Sequence, residues 1–583
     1  MAILSIWTTI FLLLAIMGGG IVVWSVCLAA IAAWSAWALI QAPEPAAPSR
    51  ALKAAALALA VAIGLVALTL VPLPGPLAGL AGEPRATQNR EVADAVRAAG
   101  QAGLAAVGAP FFALTRNVAG TGRMLALMLA AVSMALLAAR LDETGRRRLM
   151  AFLSLAGAAL AVTGYIGQRV CPQGDTLLWW LPIRHALPGP VACFGNRNHF
   201  AGFMALLSVC AFAMCLQGAR ERKFGGLLLH APAFLVMSAA LVLTMSRGAV
   251  LAWVAGISVV SIFSLVRRPL SAILALVLAA EIVAGAIGTL PRTDVPERYK
   301  SLVNPLDTSS AVTRLNAWRD SLRIWAAYPV VGAGANAYRN VFPQYRRTSE
   351  GAFATYPENL YVQILAETGL LGALSFLVIA GAGAWIALRR WRSDDADRSS
   401  VTAGMGAAAV ALVHGMVDMP LQVPLYAATA GTVAALLVIP APKPGAPRSC
   451  PATGAPIAIA AIALAAGLAL GSGRLRTMDA PLHMEYAGQR DIQRALAWAP
   501  SSWHAWYYLG RHAFMLRTTD GAELGARCLS TAGARDPNNY RLWLEIGNAR
   551  RATGDIEGAR TAYKRVREIR HWVPVPQLPE APR

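Results

Sequence analysis

Charged residues are scarce in this chain. Only 14% of its 583 residues are Asp, Glu, Lys or Arg, whereas 56% are hydrophobic. So low a charge density is atypical of soluble domains and indicates a polytopic membrane protein. A net charge of +21 would suggest a nucleic-acid partner in a soluble protein. Here we assign much of that charge to loops at a membrane surface, and we expect no nucleic-acid partner.

Metal-binding spacings are missing as well. The seven cysteines show none of the paired spacings that bind zinc, and we expect neither a metal nor another cofactor. Cys171 and Cys193 enclose one predicted loop. The two thiols can form a disulfide if that loop faces an oxidising compartment, and two unpaired thiols are the alternative. No Lys or Arg precedes Arg50, so a basic signal-peptide start is lacking and the first apolar segment is expected to be retained.

Apolar segments of membrane-spanning length recur along most of the chain. A helix needs about 17 to 25 residues to cross roughly 30 Å of hydrocarbon. Thirteen segments come near this length, at about 3–17, 21–40, 52–71, 124–140, 149–166, 200–217, 227–245, 249–266, 269–290, 361–388, 400–417, 423–440 and 455–472. Between the first two, Gly18, Gly19 and Gly20 form either a tight turn or a weak point in one long helix. The predicted fold is therefore all-α: a polytopic helical membrane domain over residues 1–472.

The basic residues indicate an orientation for these spans. Alternate connections carry Arg or Lys, for example Arg146 to Arg148, Arg267 with Arg268, and Arg389 with Arg390. Positively charged short loops stay in the cytoplasm. This threading places the N-terminus inside, and it places a large loop at 291–360 and everything after residue 473 outside.

After residue 473 the composition changes and helical periodicity with charge appears. Two stretches resemble each other, Ala499–Gly510 and Asp536–Gly547, and the second continues into Gly554-Asp555 and a further helix. This pattern resembles tetratricopeptide repeats, with a period of about 37 residues. The alternative is a generic helical domain. Residues 473–583 are thus predicted to form a separate helical-repeat domain that holds a protein partner or stabilises an assembly.

Unusual polar residues gather at the predicted outer ends of the spans. Asn196, Arg197, Asn198 and His199 precede the sixth span, where such groups are costly unless they face protein, water or a ligand. The alternative is that Asn196 or Asn198 caps the helix while Arg197 reaches the lipid head groups. Arg247 follows the seventh span, where a lone arginine is usually an interfacial anchor.

The large loop and the spans after it hold further candidates. Arg314 and Trp318 lie one turn apart on a predicted helix, which either presents guanidinium groups to an anionic head group or is a solvated amphipathic helix. Glu358 lies beside the tenth span, either as a general base or as a first-turn residue favoured by the helix dipole. His414 and Asp418, one turn apart, are either a proton-handling pair or a structural hydrogen bond.

Taken in order, these clusters resemble one known superfamily. They are Asn196-Arg197-Asn198-His199-Phe200, Ser246-Arg247-Gly248, Arg314 upstream of Tyr328-Pro329-Val330-Val331-Gly332-Ala333-Gly334, and Glu358-Asn359-Leu360-Tyr361-Val362-Gln363 before Glu367-Thr368-Gly369. Their order and common sidedness resemble the O-antigen ligase and polymerase superfamily, over roughly residues 190–390. The resemblance implies a bacterial inner-membrane glycosyltransferase of the GT-C type with a large periplasmic loop. The fused repeat domain after residue 473, which the threading places outside, is unlike the simplest ligases of this superfamily.

The resemblance implies a donor, an acceptor and a set of site residues. The donor would be a glycan on undecaprenyl diphosphate and the acceptor a saccharide hydroxyl. Arg247 and Arg314 match the family's functional arginines and would neutralise the diphosphate leaving group. Asn196 to His199, Asn359 and Tyr361 would contact substrate, with Glu358 as base. Ligases typically carry His-Asn where this chain has Glu358-Asn359, which favours polymerase-like transfer over ligation to lipid A core or transfer to protein.

Two other classes of function compete with the transferase. A polytopic transporter would place ionisable residues at mid-span and would show internal repeats, and the sequence shows neither. A scaffold acting through its repeat domain would need far fewer spans for anchoring.

Overall fold

The structure is a computed structural model, which describes Thr8 and residues 49–74, 82–105, 107, 110, 112–170, 176–177, 181–182, 191–265, 309–347, 356–393, 398–442 and 488–578. In chain order the helices are α1 (Arg50–Leu68), α2 (Glu83–Gln101), α3 (Val118–Ala139), α4 (Glu143–Val170), α5 (Arg197–Glu221), α6 (Phe224–Leu243), α7 (Arg247–Leu265), α8 (Ser309–Ala327), α9 (Tyr338–Tyr345), α10 (Leu360–Arg392), α11 (Arg398–His414), α12 (Pro424–Val438), α13 (Gln489–Trp498), α14 (Trp503–Met515), α15 (Thr519–Arg535), α16 (Tyr540–Ala552) and α17 (Ile556–Ile569). Two strands of two residues each, β1 (Thr176–Leu177) and β2 (Leu181–Pro182), pair antiparallel.

The all-α membrane fold is confirmed. Within the described residues, seven helices are long and apolar enough to cross a membrane: α1, α3 to α7 and α10. Two shorter apolar helices, α11 and α12, follow. These nine helices coincide with nine of the predicted spans. The other four predicted spans, at 3–17, 21–40, 269–290 and 455–472, lie outside the described residues apart from Thr8.

Helix α5 lies at the centre of the membrane bundle. It packs against α4, α6, α7 and α11, and most of its side chains are buried. Helices α7 and α11 approach each other at Gly256 and Gly406, where a Cβ on either residue would overlap the other helix. Small residues at such crossings let helix backbones meet closely in a membrane. The first turns of α5 and α7 are therefore held in fixed positions relative to the end of α11.

Two arginines bind the C-terminal end of α12, at the end of the bundle opposite the first turns of α5 and α7. Arg146 is buried and donates hydrogen bonds to the carbonyl oxygens of Ile439 at 2.7 Å and Pro440 at 3.1 Å. Arg390 donates to the carbonyl oxygen of Leu436 at 2.8 Å. The last carbonyl groups of a helix lack partners within the helix. These two guanidinium groups supply partners for the end of α12.

The segment between α8 and α9 docks onto a break in α10. Gly369 has φ 63° and ψ −162°, which interrupts the helix there. Across this break the backbone N–H of Gly334 donates to the carbonyl oxygen of Glu367 at 2.8 Å, and that of Leu370 donates to Pro329 at 2.9 Å. A Cβ on Gly369 would overlap the carbonyl group of Val330. The Tyr328–Gly334 and Glu367–Gly369 motifs of the sequence are thus one structural joint.

The five C-terminal helices form a layer that includes α2. Helix α14 packs against α15, and α16 packs against α17 through the predicted Gly554-Asp555 turn. Val92, Ala95 and Ala99 of α2 are buried in the same apolar cluster as the C-terminal helices. The unit predicted to start at residue 473 is thus completed by a helix from residues 83–101.

Helix α2 also joins this C-terminal layer to the loop that precedes α9. Arg85 is buried and donates to the carbonyl oxygens of Leu114, at 2.9 Å, and of Gly332. Its guanidinium lies 4.7 Å from the centre of the Tyr328 ring, in a cation–π contact. Helix α2 therefore connects the C-terminal layer to the segment between α8 and α9.

Candidate functional site

Four separate segments meet at one end of the bundle, called here the site end. They are the first turns of α5, α7 and α10 and the link between α11 and α12. Glycines permit the approach, since a Cβ on Gly202 would overlap the His414 imidazole and one on Gly248 would overlap the Val417 side chain. The polar clusters singled out in the sequence are therefore neighbours in space.

Asparagines fix the first turns of two of these helices. Asn196 caps α5, with its side-chain oxygen accepting a hydrogen bond from the backbone N–H of Asn198 at 2.8 Å. Asn359 caps α10 by accepting from the N–H groups of Tyr361 and Val362, both at 3.0 Å. The capping alternative considered for Asn196 is thus what the structure shows. Contact of either amide with a substrate stays a prediction.

The start of α10 is also tied to the α11–α12 link. Asn359 donates from Nδ2 to the carbonyl oxygen of Met416 at 3.0 Å, and the backbone N–H of Leu360 donates to Gly415 at 2.7 Å. The hydroxyl of Tyr361 donates to the carbonyl oxygen of Leu412 at 2.6 Å. These bonds hold the α11–α12 link, which carries Asp418, beside Glu358. Glu358 is the residue that precedes the Asn359 cap.

Asp418 lies between two histidines. Its Oδ1 is 3.2 Å from Nε2 of His199, and its Oδ2 is 3.5 Å from Nε2 of His414. Burial opposes the charge of this carboxyl group, but His199, His414 and the backbone N–H of Met419 outweigh it and lower the pKa of Asp418 to about 2. A negative charge is thereby held between two imidazoles.

Arg314 and Glu358 form an ion pair next to these histidines. Nε of Arg314 is 2.6 Å from Oε2 of Glu358, and both side chains keep partial exposure. Trp318, one turn further along α8, donates from Nε1 to the carbonyl oxygen of Pro357 at 2.9 Å. The expectation that Arg314 and Trp318 share one helix face is confirmed, and that face contacts the segment before α10.

Two residues of the site end have unusual backbone angles. Glu358 has φ 50° and Met245, two residues before Arg247, has φ 55°. Positive φ is uncommon outside glycine and costs roughly 1–3 kcal/mol, and such strain concentrates at functional sites. Arg247 is the first residue of α7 and is partly buried. Its neighbour Gly248 packs on Val417, which places the backbone of Arg247 next to the link that carries Asp418.

Glu367, the acid of the Glu367-Thr368-Gly369 motif, has a structural role. It is buried and accepts hydrogen bonds from the backbone N–H groups of Asn336 at 2.8 Å and Tyr338 at 3.0 Å. Its carboxylate therefore holds the start of α9. A carboxylate at a helix start satisfies backbone donors that have no partner within the helix.

Sequence reasoning found the members of the site but missed one pairing. The spacing of His414 and Asp418 predicted their contact, whereas nothing local indicated that His199, 219 residues upstream, contacts the same carboxylate. The predicted partner of Cys193, Cys171, lies outside the described residues, so the disulfide stays a prediction. Among the residues described, no group of His, Cys, Asp and Glu is arranged to hold a metal ion.

Comparison with known proteins supports the resemblance noted in the sequence. No curated protein matches the chain. Residues 232–377 match a family model described as O-antigen ligase. This stretch includes Arg247, Arg314, Glu358 and the joint at Gly369. Over this part of the chain, the match supports the O-antigen ligase and polymerase superfamily.

Proposed function

We propose that the protein is a glycosyltransferase of the bacterial inner membrane that moves a glycan from undecaprenyl diphosphate to a saccharide hydroxyl. The observation that carries the proposal is the ion pair of Arg314 with Glu358 beside His199 and the buried Asp418 and His414. A cation of a kind suited to phosphate and groups that can accept a proton thus lie close together, which supports the proposal.

In the proposed reaction, cations stabilise the leaving group and a base accepts the proton of the acceptor hydroxyl. The acceptor oxygen attacks the anomeric carbon, the bond from that carbon to the diphosphate oxygen breaks, and the electron pair stays on the diphosphate. Arg314 and Arg247 neutralise the charge that develops there, since a guanidinium binds phosphate oxygens through paired N–H groups. A side chain of the site takes the hydroxyl proton.

The positions of the ionisable residues favour a transferase over a transporter. Arg247, Glu358 and Asp418 lie at the starts of helices or in a link, rather than at mid-span. Ionisable residues along a transport path would continue through the membrane.

In this proposal the site end faces the periplasm, and so does the C-terminal layer.

The C-terminal helices are part of the same proposal. As a tetratricopeptide-like unit they would hold a partner or stabilise an assembly. Their contacts favour stabilisation, because Arg346, beyond α9, pairs with Asp536 at 3.2 Å and both side chains are buried or nearly so. A domain that only binds a partner would not need this ion pair with the segment that follows α9.

The test is single replacement of Arg247 and Arg314 by alanine in the native host, with surface polysaccharide profiled on gels. Arg319→Ala is the matched control, because Arg319 is exposed on α8, the helix of Arg314. We expect roughly 100-fold less product from Arg314→Ala, by analogy with loss of one oxyanion-stabilising donor.

The lipid-linked glycan that accumulates identifies the reaction. Single repeat units on lipid would indicate a polymerase. Long lipid-linked chains with bare lipid A core would indicate a ligase. Normal polysaccharide from both variants, with normal protein amounts in the membrane, would contradict the proposed function.

A further inference from the structure

We propose that His199, oriented by Asp418, is the general base of the site, and that Glu358 is a positioning residue that holds Arg314. This inference rests on the proposed function. It assigns His199 a role in proton transfer, where the sequence suggested only substrate contact.

Glu358 already has a partner in the structure. Its Oε2 is 2.6 Å from Nε of Arg314. If this carboxylate took a proton, it would lose the charge that holds the guanidinium where the diphosphate must bind. Base catalysis by Glu358 would thus undo the arrangement of the cation at the moment when that cation is needed.

His199 is the more accessible of the two imidazoles in contact with Asp418. Its side chain is 14% exposed, compared with 1% for His414. It lies in the first turn of α5, whose cap at Asn196 fixes the backbone. A substrate hydroxyl at the mouth of the site can therefore reach His199, whereas His414 is closed off behind Gly202.

Asp418 orients the imidazole of His199. Its Oδ1 accepts from the backbone N–H of Met419 at 2.8 Å, which fixes the carboxylate, and the same oxygen lies 3.2 Å from Nε2 of His199. A carboxylate at one ring nitrogen directs the proton to that nitrogen and leaves the other as the acceptor. Nδ1 of His199 is then the atom that takes the proton, and Asp418 stabilises the imidazolium that forms.

The charged and titratable groups around His199 come from several elements. His414 is the last residue of α11, and Asp418 lies in the link after it. Glu358 precedes α10, and Arg314 reaches the cluster from α8. Tyr426 of α12 lies near Asp418. The two carboxylates nearest His199 would stabilise the imidazolium that forms when His199 takes the substrate proton.

The hydrogen bonds of this cluster are incomplete. Nδ1 of His414 and Oδ2 of Asp418 are buried without a hydrogen bond to any described residue. Each buried polar group left unpaired costs roughly 1–3 kcal/mol, so a purely structural network would be expected to satisfy them. Incomplete pairing of this kind fits a cluster that exchanges protons with a substrate.

The experiment compares His199→Asn with Glu358→Gln in host membranes that contain their own lipid-linked glycan. We expect His199→Asn to slow transfer by about 100-fold or more, the usual effect of losing a general base. KM should change little. Glu358→Gln should raise KM and lower the rate less. His230→Asn is the control for loss of a buried histidine, because His230 contacts Ser154 within the bundle.

Chemical rescue separates a base from a structural residue. Added imidazole should restore part of the transfer by His199→Ala, and the rate of the native enzyme should fall at low pH as the imidazole is protonated. If His199→Asn fails to reach the membrane, His199→Gln is judged by the same criteria. Transfer by these variants within threefold of native, with none from Glu358→Gln, would make Glu358 the base and overturn the inference. Failure of the proposed function itself would appear differently, as normal polysaccharide from Arg314→Ala.

Discussion

The imidazole of His414 lies so close to the backbone of Gly202 that no Cβ fits between them. Gly202→Ala should therefore displace His414 from Asp418 without changing any polar group. We expect destabilisation of about 1–3 kcal/mol, typical of overpacking, and at least tenfold less transfer. Thermal unfolding in detergent and the polysaccharide gel measure the two effects. Gly381→Ala on α10 is the control, because nothing lies within 4 Å of its Cβ position. Equal melting temperatures for both variants would argue against this packing.

Gly369→Ala should separate the α8–α9 loop from α10. The residue has φ 63°, and its added Cβ would overlap the Val330 carbonyl. Strain and overlap together should cost about 2–5 kcal/mol. Hydrogen exchange at the backbone N–H groups of Gly334 and Leu370 should quicken, since these donate across the joint. Gly383→Ala, which has open space around it, should leave that exchange unchanged.

Asp536→Asn should loosen the C-terminal layer from the loop beyond α9. Asp536 is only 2% exposed and pairs with Arg346, so its loss leaves a buried guanidinium without its counter-charge. Breaking one partner of a buried pair typically costs 3–5 kcal/mol. Faster proteolysis between α12 and α13 is the expected readout. Asp491→Asn removes an exposed pair with Arg494 and should change little. Similar proteolysis of the two variants would show that the interface does not depend on this pair.

The C-terminal layer should also weaken in acid through His504. Burial, with a smaller effect of Arg339, lowers the pKa of His504 to about 3. Between pH 6.5 and pH 3 the unfolded state therefore binds the proton that the folded state does not. Stability falls with falling pH over this window, by at most about 1.4 kcal/mol per pH unit. His504→Asn should flatten the pH dependence of hydrogen exchange in α14. A native profile in that variant would assign the effect to another group.

Apolar length and basic loops were enough to place the described membrane helices, because both depend on local composition. The i, i+4 spacing of His414 and Asp418 also predicted a real contact. The sequence did not reveal that His199 shares that carboxylate, or that Glu367 holds α9, because these contacts join residues distant in the chain. Nor did polarity alone distinguish Asn196 as a helix cap from Asn196 as a ligand contact.

Helix α2 has a consequence for how the protein is made. Its Gln88 side chain accepts a hydrogen bond from the Ser501 hydroxyl, at a sequence separation of 413 residues. At typical rates of translation, roughly 20 to 80 seconds pass between synthesis of the two. During that interval the apolar face of α2 has no C-terminal helices to cover it. Assembly of the site loop therefore has to wait for the last part of the chain, and a truncated chain would carry an exposed, aggregation-prone helix.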